Sequence, residues 1–243
     1  MSLKSSRQQL GPLRCRVIDA LPIGGNPERL VILNHGFGAS GDDLADFGPM
    51  LIESSEEIAR TCRFVFPEAP IDLGPMGMPG GRAWWPINMA RLAEMNETQD
   101  FDPLTQLEPP GMKEASRMLG ETIQAALAAA GLDASKLVLG GFSQGAMVST
   151  CVTLTERLNP LLLVLFSGTL LNRTEWQRLA NEHPGCDVLQ SHGRQDPVLP
   201  FAPAVQLRDM LTESGFKMEF IEFNGSHTIP MNVMQRLQAR LEK

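Results

Sequence analysis

The chain has 243 residues, of which 43% are hydrophobic and 20% charged, with a formal net charge of −7. That size and apolar content suit a single α/β domain with a sizeable core, and nothing in the composition is repetitive, fibrous or disordered. The acidic balance argues against a nucleic-acid partner, which needs a basic face, and against electrostatic docking on anionic lipid.

In chain order, short runs of β type alternate with longer helical patterns. The predicted strands cover residues 15–20, 30–34, 63–66, 136–139, 161–166, 188–191 and 219–223. Two of them, Leu30-Val31-Ile32-Leu33 and the apolar stretch at 161–166, are continuously apolar, as strands buried on both faces are. A short helix is predicted at 42–47, and longer ones at 112–130, 146–157, 202–214 and 231–241. In the first of these longer helices Met118, Thr122, Ala125 and Ala129 share a face with Leu119, Ile123 and Ala126, and Gly131 is a natural stop. Strands alternating with helices imply a mostly parallel central sheet covered on both faces, with no large separate cap. Residues 71–111 break the rhythm. They are rich in Gly and Pro, carry Trp84, Trp85, Met76, Met78, Met89 and Met95, and read as an irregular insertion forming a substrate-binding lip.

The N-terminal stretch MSLKSSRQQLGPLRC lacks the apolar segment of a secretory signal, and no apolar run approaches the ~18 residues of a membrane span. Cys15, Cys62, Cys151 and Cys186 form no CxxC pair and no zinc or disulfide spacing, so buried reduced thiols are expected. The expectation is a cytoplasmic protein without integral membrane association.

The chemistry begins at Gly141-Phe142-Ser143-Gln144-Gly145. A strand runs into this motif and a helix leaves it, the context in which a serine is held on a sharp turn above a sheet. The glycines admit close backbone neighbours, and the following helix turns its N-terminus to the reaction centre, where free N–H groups favour negative charge. A serine nucleophile needs a base, and the chain has four histidines. His35 sits in a glycine-rich loop that it is expected to shape. His192 lies in a strand-end turn, and His183 in a polar loop expected to be exposed. His227 follows the last strand through Asn224-Gly225-Ser226, late in the chain, where a base belongs in the order serine, acid, histidine. The acid is then expected in the loop after the strand at 188–191, which offers Asp196. Asp187 begins that strand and falls at the wrong end, while Asp209 lies in the next helix. The Gln144 N–H is one candidate oxyanion donor and the Phe37 N–H, in the loop after the strand at 30–34, the other.

Taken together these segments resemble the phospholipase/carboxylesterase family that includes the acyl-protein thioesterases. The resemblance is carried by Leu33-Asn34-His35-Gly36-Phe37-Gly38, Phe66-Pro67-Glu68-Ala69-Pro70, Gly141-Phe142-Ser143-Gln144-Gly145-Ala146 and His192-Gly193-Arg194-Gln195-Asp196-Pro197-Val198-Leu199-Pro200, closed by His227. It implies an α/β-hydrolase fold, with Ser143, Asp196 and His227 as the catalytic residues and Phe37 and Gln144 as the oxyanion donors. Two departures stand out. Asn34 replaces an apolar residue before the histidine, and Ala83-Trp84-Trp85-Pro86 lacks the aspartate that follows the aromatic pair in the thioesterases. The expectation is therefore a serine carboxylesterase acting on small ester or thioester substrates with an apolar acyl group, with Trp84, Trp85, Met76 and Met78 binding substrate and with no metal or organic cofactor. A serine peptidase or amidase on the same residues, and a binding protein that kept the fold, are the alternatives. Oligomeric state is open, a homodimer included.

Overall fold

The computed structural model of the chain describes residues 2–98 and 100–243, without the side chains of Met89, Ala93 and Asn96. The strands among the described residues are β1 Lys4–Leu10, β2 Leu13–Asp19, β3 Arg29–Asn34, β4 Cys62–Pro67, β5 Ile71–Asp72, β6 Arg82–Ala83, β7 Leu137–Phe142, β8 Leu162–Phe166, β9 Asp187–Gly193 and β10 Lys217–Phe223. The helices are α1 Phe47–Ser54, α2 Glu56–Thr61, α3 Met89–Thr98, α4 Asp102–Gln106, α5 Met112–Ala130, α6 Gln144–Thr155, α7 Arg173–Asn181, α8 Phe201–Glu213 and α9 Met231–Leu241.

Eight strands form one sheet in the order β1-β2-β4-β3-β7-β8-β9-β10. The hairpin β1–β2 and the β2–β4 pair are antiparallel, and every pairing from β4 to β10 is parallel. The mostly parallel sheet read from the sequence is thus present. Alternation of side chains along a strand divides each apolar run between two cores. Leu30 and Ile32 of β3 join Leu137 and Leu139 of β7 and the buried face of α5, while Val31 and Leu33 join Phe64, Phe66, Val164 and α9 on the other side. Each fully buried side chain of this size stabilises the fold by about 1.5–3 kcal/mol relative to exposure. Helix α6 is buried at every position from Gln144 to Leu154, packed between the sheet and helices α5 and α7.

Several elements differ from the sequence expectations. Strand β1, KSSRQQL, buries only Leu10; a polar edge strand carries no apolar signal. Helix α7, RTEWQRLAN, buries only Trp176 and Ala180. The short helix α2 was also unexpected, and residues 42–46 form turns, with helix starting only at Phe47. The insertion at 71–111 is not structureless. It holds the two-stranded β5–β6 ladder and helices α3 and α4. His183 is buried, not exposed. One ring nitrogen accepts from Gly185 N at 3.0 Å and the other donates to Leu158 O at 2.6 Å, which pins the α7–β9 connection. All four cysteines are buried. No helix among the described residues is long and apolar enough to cross a membrane.

Candidate active site

Strand β7 ends at Phe142, and the chain reverses at Ser143, whose φ of 56° and ψ of −118° lie outside the regions open to ordinary side chains. Such a conformation costs about 1–3 kcal/mol and persists only where its surroundings enforce it. Here they do. Ser143 N donates to Phe166 O at 2.8 Å, and Ser143 O accepts from Ala146 N and Met147 N at 3.0 and 3.1 Å. The flanking glycines are required by close approach. A Cβ on Gly141 would lie 2.2 Å, and one on Gly145 1.9 Å, from the carbonyl oxygen of Asn34. Asn34, the departure noted above, donates from Nδ2 to Gly140 O at 3.0 Å and to Ser149 Oγ at 2.9 Å, binding the end of β3 to β7 and α6.

Asp196 follows β9 and His227 follows β10, at the C-terminal edge of the sheet where β7 also ends. The Asp196 side chain is fully buried. Its Oδ1 accepts from Val198 N at 2.8 Å and Leu199 N at 2.9 Å, and its Oδ2 accepts from His227 Nδ1 at 2.7 Å. Burial alone raises a carboxyl pKa, but the His227 hydrogen bond and charge and the two N–H groups outweigh it and hold Asp196 below the ordinary carboxylate value. With its proton on Nδ1, His227 leaves Nε2 as the basic atom. The His227 ring packs 4.6 Å from that of Phe142, beside Ser143. No hydrogen bond joins Ser143 Oγ to His227 among the described residues; in ligand-free enzymes such contacts are often long and tighten around substrate.

The other histidines are committed elsewhere. His35 is buried, with Nδ1 donating to Gly36 O at 2.8 Å and Nε2 accepting from Ala69 N at 3.1 Å. Burial lowers its pKa, so the ring is neutral and both nitrogens are occupied. His192 lies within β9 and contacts Leu199 O at 2.8 Å and Asp196 Oδ2 at 3.4 Å. Its pKa is lowered, chiefly by burial, so its contact with Asp196 is not an ion pair at neutral pH. Burial pushes the thiols of Cys15 and Cys186 up to about 12 and that of Cys151 up to about 11, leaving none as a ready thiolate.

The loop after β3 carries Phe37, and Gly36 packs against the elbow, an added Cβ lying 3.4 Å from Ser143 Cβ. Neither the Phe37 nor the Gln144 N–H donates to a carbonyl among the described residues. A cavity of about 380 Å³ adjoins this region. Met147, one turn along α6 from Ser143, lines it with Leu171, Leu199, Trp85, Leu92, Met95 and Leu104, and with Asn88 and Arg91. Of the four expected substrate-binding residues, only Trp85 lines the cavity. Trp84 is buried and bonded to the loop after β3, while Met76 is exposed and Met78 lies over Gly38. Sequence reasoning missed Met147, Leu92, Leu104 and Leu199. Leu92 and Leu104 lie within the 71–111 insertion read as a substrate-binding lip and Leu199 in the loop singled out for the acid, whereas nothing local marked Met147 in the helix after the elbow. Among the described residues no cluster of three or more His, Cys, Asp or Glu could hold a metal ion.

A mostly parallel sheet with helices on both faces and a strained serine between β7 and α6 define an α/β-hydrolase. The profile of the phospholipase/carboxylesterase family matches residues 23–243, and the chain belongs to that family. It is a serine hydrolase. Acyl-protein thioesterase 1 of Candida albicans is 29% identical over 214 residues, spanning 83% of this chain and 85% of that protein. The Kluyveromyces lactis protein of the same name is 28% identical, spanning 89% and 92%. Among solved structures, esterase PE8 aligns with a TM-score of 0.72 at 26% identity, covering 99% of this chain and 98% of its own.

Proposed function

We propose that the chain is a carboxylic ester or thioester hydrolase in which Ser143 is the nucleophile, His227 the general base and Asp196 the residue that orients and stabilises His227. His227 Nε2 takes the Ser143 proton as Oγ attacks the carbonyl carbon. The Phe37 and Gln144 N–H groups hold the oxyanion, reinforced by the N-terminus of α6. Collapse of the tetrahedral intermediate expels the alcohol or thiol, which takes the proton back from His227. Water, deprotonated by the same ring, then releases the acid from the acyl-enzyme. The observation that carries this reading is the left-handed backbone at Ser143 on the same sheet edge as the 2.7 Å Asp196–His227 hydrogen bond.

The cavity supports an apolar acyl group. Its size falls in the usual range for small-molecule sites, roughly 300–1,000 Å³, and its walls are mostly aliphatic, aromatic or methionine. Two relatives are named acyl-protein thioesterases. Trp85-Pro86 in place of the aromatic-aspartate pair makes their protein substrates a poor expectation here, and a small ester or thioester the better one. The chain acts as one domain, in the cytoplasm.

A fluorophosphonate probe tests the nucleophile. Wild type should label and Ser143→Ala should not. The same variant should abolish hydrolysis of p-nitrophenyl acetate, and retained turnover would refute the assignment. A panel of p-nitrophenyl esters from acetate to palmitate, with one acyl-thioester, reads the acyl preference.

A further inference from the structure

An oxyanion donor is useful only if its N–H points at the place where charge develops. In a trans peptide the N–H lies opposite the C=O, so fixing the carbonyl of Gly36 fixes the direction of the Phe37 N–H. The Gly36 carbonyl accepts from His35 Nδ1 at 2.8 Å. The neighbouring His35 carbonyl accepts from the Trp84 indole Nε1 at 3.0 Å, and the two rings lie 5.9 Å apart. Trp84 is held in turn by Gln144. The Gln144 carboxamide accepts from Trp84 N at 2.9 Å through Oε1 and donates from Nε2 to Trp85 O at 2.8 Å. Trp84, His35 and Gln144 are all buried, so none of these bonds has water as a ready substitute.

We propose that Trp84 and the side chain of Gln144 are positioning residues for the oxyanion hole: Gln144 clamps the Trp84–Trp85 backbone to the start of α6, and the Trp84 indole holds the loop that aims the Phe37 N–H. One residue thus supplies a donor through its backbone and sets the other donor through its carboxamide. A tryptophan that looked like a substrate contact in the sequence acts on the hole instead. This inference rests on the proposed roles of Ser143, Phe37 and Gln144.

Two variants test it. Trp84→Phe removes only the indole donor. Gln144→Met keeps the backbone N–H of residue 144 and deletes the clamp. A misaimed donor lowers kcat by roughly 10- to 100-fold, below the full loss expected on deleting a donor, with KM within about threefold. The loss is the same for p-nitrophenyl acetate and octanoate. Affinity for an alkyl boronic acid, whose tetrahedral adduct occupies the oxyanion hole, falls by the same factor as kcat. Circular dichroism and the melting temperature establish that each variant is folded; should Gln144→Met not fold, Trp84→Phe decides. The inference is overturned if the folded variant keeps wild-type kcat and boronate affinity, or if its loss lies in KM and grows with acyl length, which would make Trp84 a pocket wall. Wild type that fails to label with a fluorophosphonate, or an active Ser143→Ala, would instead overturn the underlying reading of the site.

Discussion

Replacing Gly145 with Ala perturbs the structure at the point where strand, elbow and oxyanion loop meet. The new Cβ would sit 1.9 Å from Asn34 O, 2.4 Å from Asn34 C and 2.7 Å from His35 O, all backbone atoms with no side-chain freedom to yield. The gap to Asn34 O has to grow to the 3.4 Å of ordinary contact, so either α6 or the end of β3 moves by more than 1 Å. Overpacking of this kind costs about 1–3 kcal/mol. Displacing Asn34 also weakens its bonds to Gly140 O and Ser149 Oγ, each worth about 1 kcal/mol. A total of about 3 kcal/mol or more lowers the melting temperature of a chain this size by roughly 6–12 °C. The same movement shifts the Phe37 N–H relative to Ser143, and a misplacement of about 1 Å costs on the order of 10²-fold in kcat. The measurements are thermal unfolding by circular dichroism and p-nitrophenyl acetate turnover. Gly131→Ala is the control. At Gly131 an added Cβ meets nothing within 4 Å, and only its φ of 67° is strained, so it costs about 1 kcal/mol and leaves turnover unchanged. A Gly145→Ala protein that melts and turns over as the control does would refute the reasoning.

Asp196→Asn leaves the shape intact but loses the carboxylate that fixes His227, so kcat should fall by roughly 10³- to 10⁴-fold; a loss under tenfold would show that His227 does not depend on Asp196. The depressed Asp196 pKa means that its stabilising contribution is complete above the ordinary carboxylate value, about 3.9, and is lost as pH falls through the lower folded value. The melting-temperature gap between wild type and Asp196→Asn should therefore close in acid, and a gap constant from pH 7 to pH 3 would contradict this. His183→Ala strands the Leu158 carbonyl and the Gly185 N–H, costing about 1–3 kcal/mol, while turnover at 25 °C stays at the wild-type level; a collapse of kcat in folded protein would place His183 in the chemistry. Leu92→Asp puts a charge in the cavity wall and should reduce kcat/KM for octanoate far more than for acetate, and equal losses would remove the cavity as the acyl site.

Much of the candidate site was legible in the sequence because its signals are local. The glycine spacing around Ser143 states how close neighbouring backbone must come, and the loops holding Asp196 and His227 each follow a run of strand residues. Chain order together with the loop contexts of His35 and His192 singled out His227. The continuous apolar run of β3 announced a strand buried on both faces, and the alternation of Leu30, Val31, Ile32 and Leu33 between two cores followed from strand geometry. By contrast, β1 is a polar edge strand whose reason for existing is the ladder with β2, and backbone hydrogen bonds leave no mark on side-chain pattern. His183 stands among polar neighbours, yet Leu158 and Phe216, far away in the chain, bury it and give it partners. Trp84 was legible as a candidate site residue, but not what it touches. Its partners His35 and Gln144 lie 49 and 60 residues away, and the cavity is closed by residues from 85 to 199. Residue types and local spacing thus determined which atoms are candidates for chemistry in this protein. Tertiary structure decided which way those atoms point and what surrounds them, because direction and enclosure are properties of contacts between distant segments.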